Sequence, residues 1–322
     1  MPHPLFSRCS LLSLSTTVAL AFTQVQAQTA PTAPKPAAPT APKPAAAPAT
    51  PAAQPAAPVG GTQIVLQNGF GIPLSAVVLK GENYELKTEV GKLAIGATIP
   101  VTSVDHVFGD KPPAINQAIA LLLTGKPGDG ERLLVPILTE HKDTAKLPGN
   151  FWLEAVRVSL VACALQGATA QCDALGKDLQ TNAPTSGMDP FVALGKALLM
   201  PKSSKLEDRQ SALKALTTDD QPADVCAYAS YFLAGLLHSD KHDSEALEAY
   251  LAVPCLYPSG GMILNGVAQM KAAEFLTAQN RLNEAISLLQ SAMRYTKGTV
   301  AREIANKLYE SVKQPDSQVT PN

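Results

Sequence analysis

The chain has 322 residues, of which 16% are charged, and its formal net charge is −1 at pH 7. A chain without a basic excess is not expected to bind nucleic acid, because proteins that bind phosphates through charge carry clustered Lys and Arg. The length allows one large or two modest domains beside the N-terminal segments discussed next.

Residues 1–27 predict an export signal. Arg8 precedes an apolar run from Leu11 to Phe22, and Val25-Gln26-Ala27 places small residues at the −3 and −1 positions of a cleavage site. The run is shorter than the roughly 20 apolar residues of a spanning helix and is diluted by Ser and Thr. We therefore expect cleavage after Ala27 and a periplasmic or secreted protein. The alternative is an uncleaved signal that anchors the chain in the membrane.

Residues 28–58 predict a disordered linker rich in Pro and Ala. The octapeptide PTAPKPAA occurs twice in succession from Pro31 to Ala46. Pro cannot join a helix interior or a sheet ladder, so an extended polyproline-II tract is expected. At roughly 3.1 Å per residue the linker would reach on the order of 90 Å. It is either a tail behind the cleavage site or a spacer that holds the folded part away from a membrane.

Residues 59–110 predict a small antiparallel β-barrel. Five short runs are rich in Val, Ile, Leu and Thr and are separated by Gly, Pro or Asn: QIVLQNG, GIPLSAVVLKGEN, YELKTEVG, KLAIGATIP and SVDHVFG. Asn68-Gly69 is a strong hairpin signal. Five strands without an intervening helix fit a barrel. Alternation along the last strand places Asp105 and His106 on opposite faces, so we expect no coupling between them.

The order of these strands and turns resembles that of small SH3-like and Sm-like barrels. The Sm-like resemblance implies RNA binding, but the export signal and the lack of a basic patch count against it here. We expect the β region to pack on the segment that follows it or to bind a peptide.

From residue 113 the hydrophobic period becomes helical. The unit from Ala223 to Pro258 resembles a tetratricopeptide (TPR) repeat, in which paired helices carry small and large residues at fixed places. In this unit those places are filled by Leu233, Ala234, Leu237, Ala246, Tyr250, Val253 and Pro258. A second copy begins 39 residues later and fills them with Ala272, Ala273, Leu276, Ala285, Leu289 and Ala292.

Three earlier stretches, GDGERLLVPIL, AQCDALGKDL and RQSALKAL, predict the second helices of generic helix pairs. Thr299 to Val312, with exposed Arg302, Glu303 and Lys307, predicts a capping helix. The expected fold is thus mainly α: a TPR-like helix-pair solenoid over residues 113–313, preceded by the small antiparallel β-barrel and followed by a disordered tail over residues 314–322.

The TPR resemblance implies protein–protein scaffolding through a concave groove. The candidate groove residues lie on the first helices of the last two pairs: Tyr228, Tyr231, Asn265 and Gln269.

Four cysteines remain after the predicted cleavage, and an even number in an exported chain suggests disulfides. Cys163 ends one predicted helix and Cys172 begins the next. Cys226 lies early in a first helix and Cys255 just beyond its partner. Antiparallel helices bring such ends together, so Cys163–Cys172 and Cys226–Cys255 are both plausible bridges. The alternative is four buried free thiols.

The sequence offers little catalytic or metal-binding chemistry. His238 and His242 lie four residues apart, but in a turn, where this spacing loses its metal-binding meaning. The stretch GKPGDG at Gly125 lacks the first Gly and the Ser or Thr of a phosphate loop. Phe151 and Trp152 open a helix and are expected to anchor the core. We therefore predict no enzyme, no cofactor and no metal site.

The leading hypothesis is an exported scaffold protein that binds a protein or peptide partner in the cell envelope. One alternative is a small-molecule-binding protein or enzyme with a pocket between barrel and solenoid, which two or more convergent titratable groups would indicate. The other is a structural envelope protein tethered by an uncleaved signal, the one case in which the membrane is a partner.

Overall fold

The computed structural model describes residues 61–182 and 188–313. The predicted signal peptide, linker and C-terminal tail lie outside these ranges. The described part is mainly helical, with a small antiparallel β region N-terminal to the helices. None of its helices has the length and apolar character needed to cross a bilayer.

The β region consists of two three-stranded antiparallel sheets, with strand orders β2-β1-β6 and β3-β4-β5. The strands are β1 Gln63–Leu66, β2 Gly71–Pro73, β3 Val77–Lys80, β4 Asn83–Leu86, β5 Thr98–Pro100 and β6 Val104–Phe108. The predicted hairpin at Asn68-Gly69 is confirmed, because it joins the paired strands β1 and β2, and Gly69 has a φ of 81°. The second predicted run is divided into β2 and β3, since a 3-10 turn follows Pro73.

Alternate residues of both sheets point inward and form one hydrophobic cluster. Ile64, Ile72 and Tyr84 are almost fully buried in it, and Leu147 joins from the segment that precedes α3 (Phe151–Leu165). The hydroxyl of Tyr84 donates a hydrogen bond to the carbonyl of Asp143 at 2.7 Å. The β region therefore packs directly on the helical region, as expected.

The prediction that Asp105 and His106 stay apart is wrong. Asp105 Oδ2 lies 2.8 Å from His106 Nδ1, and both side chains are exposed. The register explains the contact: His106 pairs with Val65 and Val104 with Leu66, so Asp105 is the extra residue of a bulge in β6. A bulge breaks the two-residue alternation on which the prediction relied.

The helical region begins at Pro113, as the change of period predicts. Its helices are α1 Pro113–Leu123, α2 Pro127–Glu140, α3 Phe151–Leu165, α4 Thr169–Asn182, α5 Pro190–Leu198, α6 Leu206–Lys214, α7 Ala223–Ser239, α8 Asp243–Leu256, α9 Met262–Ala278, α10 Leu282–Tyr295 and α11 Val300–Lys313. The three stretches predicted as second helices fall in α2, α4 and α6. The predicted cap is α11, and its Arg302, Glu303 and Lys307 are exposed.

Four helix pairs share one turn geometry. The amide three residues after the end of the first helix donates to a carbonyl five residues earlier: Lys126 to Leu121, Ala168 to Cys163, His242 to Leu237 and Arg281 to Leu276. The residue before each donor has a positive φ: Gly125, Gly167, Lys241 and Asn280. This is the Schellman arrangement, which ends a helix by satisfying its last carbonyls. The same type of turn thus ends the first helix of pairs α1–α2, α3–α4, α7–α8 and α9–α10.

Helix α1 contacts helices far from it in sequence. It packs on α3, α9 and α11. The hydroxyl of Tyr231 donates to the carbonyl of Leu123 at 2.8 Å, and the side-chain oxygen of Gln117 accepts from the amide of Val300 at 3.0 Å. Helix α1 therefore covers the first helices of later pairs.

Candidate functional site

A cavity of about 280 Å³ lies where the N-terminal parts of α1, α3, α5, α7 and α9 converge; we call it the inner cavity. Its lining includes Lys111, Asn116, Ile119, Glu154, Arg157, Phe191, Asp224, Tyr228, Met262, Ile263 and Leu264. Met262 stands at its edge with 63% of its surface exposed.

Arg157 makes several contacts at the inner cavity. Its Nη2 and Nε both donate to Asp189 Oδ2, at 2.7 and 3.0 Å. Asp189 is buried, and its other oxygen accepts the amide of Phe191 and so caps α5. The guanidinium lies 5.2 Å from the centre of the Phe191 ring. Two hydrogen bonds and a cation–π contact therefore hold Arg157 in one place.

Two carboxylates, those of Glu154 and Asp224, line the inner cavity and keep part of their surface open. Glu154 pairs with Lys111 and is 41% exposed, and Asp224 is 35% exposed. Asp224 lies 3.5 Å from Arg157 Nη1, which is a long contact. Burial first, and then these two carboxylates, raise the pKa of Tyr228 above its usual range. Its hydroxyl consequently stays protonated and can donate a hydrogen bond.

Of the four predicted groove residues, only Tyr228 lines the inner cavity. Tyr231 is buried against α1 and bonded to Leu123. Asn265 is buried and donates to the carbonyl of Pro258, while Gln269 is buried further along α9. The buried side-chain oxygens of Asn265 and Gln269 have no partner among the described residues. These three residues are interior because α1 and neighbouring segments cover the face on which they lie.

The sequence reasoning missed Arg157, Asp189 and Asp224. A signal was present for the first of them, since Arg157 is the only basic residue in the largely apolar helix FWLEAVRVSLVACAL. A charge within such a helix needs a partner when the helix packs in a core. Asp189 before Pro190 is likewise a helix-start pattern.

The structure supports one of the two predicted disulfides. The sulfur atoms of Cys163 and Cys172 lie at disulfide distance, with their Cα atoms 6.0 Å apart. The second predicted bridge is not formed. Cys226 is buried beside the carbonyls of Thr218 and Gln221, whereas Cys255 is exposed on α8. The two side chains point to different surroundings although they belong to one helix pair.

Peptide mapping of the oxidised protein after thiol alkylation is expected to find Cys163 linked to Cys172 and both other cysteines alkylated. Closing so short a loop stabilises a fold by about 2–3 kcal/mol in the chain-entropy account. Cys163→Ala/Cys172→Ala should therefore lower the unfolding free energy by a similar amount, and a reductant should remove most of the difference. A peptide linking Cys226 to Cys255 would contradict this assignment.

The His238–His242 turn is exposed. His238 pairs with Asp243 at 2.7 Å, and His242 pairs with Glu245 at 2.8 Å. The hydrogen bond that His242 donates to the carboxylate of Glu245 raises the pKa of His242. Across the described ranges no three His, Cys, Asp or Glu side chains are grouped so that they would hold a metal ion.

A second cavity, of about 570 Å³, lies between the β region and the end of α2; we call it the junction cavity. Four titratable residues line it: Lys87, Glu140, His141 and Asp143. Such convergence is the feature that would indicate the small-molecule alternative. His141 is buried, and its Nδ1 has no hydrogen-bond partner among the described residues. Asp143 accepts the amide of Leu79. Asp143 is thus engaged with the Leu79 amide, and among the described residues no hydrogen bond links it to His141.

The stability of the protein is expected to fall as the pH drops below about 6.5, partly because of His141. Burial lowers the pKa of His141, against a smaller opposite effect of Glu140. The unfolded state then binds a proton that the folded state excludes, so acid favours unfolding. Urea denaturation at several pH values should show that the free energy of unfolding falls less steeply towards acid pH for His141→Gln than for the parent. The variant His106→Gln, at an exposed histidine, serves as control. An equally steep fall in all three proteins would contradict the assignment.

Comparisons of the chain with protein-family models, with curated proteins and with solved structures found no match. What can be said of function therefore rests on the two cavities and the residues that line them.

Proposed function

We propose that this protein is a non-enzymatic interaction protein of the cell envelope that binds a segment of a partner protein in the inner cavity. The observation that carries the proposal is the convergence of the N-terminal parts of five helices on one cavity with fixed polar groups. Arg157 is held by the buried Asp189, Tyr228 offers a hydroxyl, and Met262 exposes an apolar side chain at the edge. Polar groups held rigidly beside exposed apolar surface are typical of protein-binding sites.

We infer a TPR-like solenoid as the framework of this site. The shared turn geometry of four helix pairs supports this inference, because tandem repeats have the same type of turn in each repeat. The Lys241 and Asn280 turns are 39 residues apart, the spacing of the two repeat-like units in the sequence. The closure of the two small sheets into an SH3-like or Sm-like barrel is part of the same proposal. Their common hydrophobic cluster supports it.

Export through the N-terminal signal places the site in the envelope. N-terminal sequencing of the protein from its source cells should give a chain that begins at Gln28. A chain that still begins at Met1 would instead support the tethered structural protein.

Site-specific photocrosslinking tests the proposed binding site. A photoreactive amino acid at Met262 should capture one or a few proteins in intact source cells, identified by mass spectrometry. The matched control carries the same group at Val135 on α2, which is 55% exposed and does not line the inner cavity. Capture at position 262 alone supports the proposal. No capture above background, or the same proteins at both positions, would refute it.

The junction cavity favours a second candidate function, the binding of a small polar ligand. Its convergent Lys87, Glu140, His141 and Asp143 are the supporting observation. A thermal-shift screen of sugars, amino acids and organic acids tests it. A stabilising compound should lose its effect in Lys87→Ala and Glu140→Ala, whose side chains stand exposed at the rim. A screen without any stabilising compound would remove this candidate.

A further inference from the structure

We propose that the inner cavity recognises the main-chain carbonyl oxygens of an extended, uncharged peptide segment that carries an apolar side chain. The inference rests on the proposed function and specifies the chemistry of the partner.

The charged groups of the inner cavity lining are balanced and paired with one another. Glu154 contacts Lys111, and Asp224 lies 3.5 Å from Arg157 Nη1 and also accepts the amide of Val225. Two cations and two carboxylates line the cavity, so the formal charge of the lining is zero. Nothing in this balance attracts a charged side chain, and an uncharged ligand leaves it undisturbed.

Part of the cavity wall is bare backbone. The turn before α9 lines the cavity with Ser259, Gly260 and Gly261, and the two glycines present only main-chain atoms. Packing requires one of them, because a Cβ atom on Gly260 would lie 2.4 Å from that of Ala227 on α7. Gly261 has a φ of 123°, a conformation that favours glycine. The turn is therefore held against α7 and presents its backbone to the cavity.

The amides at the start of α9 lack acceptors within the helix. No side chain caps α9, and the amide of Asn265 donates to the carbonyl of Gly261 at 3.0 Å. The amides of Met262, Ile263 and Leu264 precede this bond, and all three residues line the cavity. First-turn amides have no partner within their own helix, so they can donate to oxygens of a ligand.

Tyr228 supplies a second, independent donor. Its side chain is 4% exposed and lines the cavity. Burial and two carboxylates of the same lining, Glu154 and Asp224, raise its pKa, and no hydrogen bond to a described residue is among the causes. Buried hydroxyls in proteins are normally hydrogen-bonded. We therefore expect the hydroxyl of Tyr228 to find its acceptor in the ligand.

Much of the remaining lining is apolar and includes Ile119, Val158 and Phe191. Free donors together with apolar side chains suit a peptide whose carbonyls have no partner of their own, as in an extended segment. Its carbonyl oxygens would accept hydrogen bonds from the α9 amides and from Tyr228. Its apolar side chain would contact the apolar part of the lining.

The test uses the folded protein and three acetylated, amidated peptides that differ only in the central residue: Ala-Ala-Leu-Ala-Ala and the same peptide with Lys or Glu. Affinity is measured by chemical-shift titration of the labelled protein. We expect the Leu peptide to bind several-fold more tightly than either charged peptide. Its affinity should change little between about 0.05 and 0.5 M sodium chloride, because salt screens interactions between charges.

Two variants remove one donor each. Tyr228→Phe deletes only the hydroxyl, and Met262→Pro deletes an amide at the first helical position, where Pro is accepted. Each should weaken binding of the Leu peptide about 2–10-fold, the range for one uncharged hydrogen bond. The control for the first is Tyr250→Phe, at a buried tyrosine outside the cavity lining, and the control for the second is Met262→Ala.

The stability of Tyr228→Phe provides a further readout. The urea midpoint of this variant should equal that of the parent, because the hydroxyl has no partner within the fold to lose. Circular dichroism confirms that all variants fold. The inference is overturned if no peptide binds, if a charged peptide binds as tightly as the Leu peptide, or if either donor variant binds like its control.

The same variants separate this inference from the proposed function. Partners captured at position 262 and retained in full by Tyr228→Phe would leave the binding site in place and refute its recognition of carbonyl oxygens. Absence of any captured partner, together with binding of the Leu peptide that depends on the hydroxyl of Tyr228, would refute the envelope partner and retain the chemistry of the cavity.

Discussion

Replacing Trp152 with Ala is expected to lower the free energy of unfolding by about 3–5 kcal/mol, as for other buried large-to-small substitutions. Trp152 is the largest side chain with less than 2% exposure in the described ranges. It packs with Ala145, Val156, Leu160 and Leu179, which bring together α3, α4 and the segment before α3. Its removal therefore leaves a cavity that rigid helices cannot close.

Urea denaturation of the Trp152→Ala variant provides the measurement. Leu165→Ala on the same helix is the control, because Leu165 is 37% exposed and should cost little. A loss below about 1 kcal/mol for Trp152→Ala would mean that the residue does not hold these elements together.

Replacing Arg157 with Met is the second change with a large expected effect. The variant keeps an apolar stem of similar length but leaves the buried carboxylate of Asp189 without its cation. An unpaired buried charge typically costs about 3–5 kcal/mol. Chemical denaturation near neutral pH should show this loss.

A double variant distinguishes the lost charge from lost packing. Asp189→Asn removes the charge and retains an oxygen that can cap α5 at the Phe191 amide. Arg157→Met/Asp189→Asn should therefore recover most of the stability that Arg157→Met loses. A double variant as unstable as the single one would assign the loss to the stem of Arg157 and its contact with Phe191.

The helices were predictable because their signals are local. Residues such as Leu233, Ala234 and Leu237 recur at helical spacing, and the structure buries all three. Strand boundaries were less predictable, because a 3-10 turn and a bulge depend on how neighbouring segments pair. The split of β2 from β3 and the contact of Asp105 with His106 are two results of this dependence.

The inner cavity was predictable only in part, since it depends on contacts between distant residues. Tyr231 was expected on an open groove, but its partner is Leu123, 108 residues earlier in the chain. No periodicity within α7 reveals that α1 will cover it. The importance of Arg157 likewise follows from Asp189, which caps another helix and has no fixed spacing from Arg157.

The contacts of α1 with α9 and α11 bear on how the chain loses its structure. A linear array of repeats unravels from its ends, because each terminal unit has one neighbour. Here α1 is hydrogen-bonded to Val300 and to Tyr231. Fraying at either end of the helical region would therefore expose apolar surface at both ends. We expect the described helices to melt in one concerted transition. Truncation of α11 should destabilise α1 as much as it destabilises the helix that precedes α11 in the sequence.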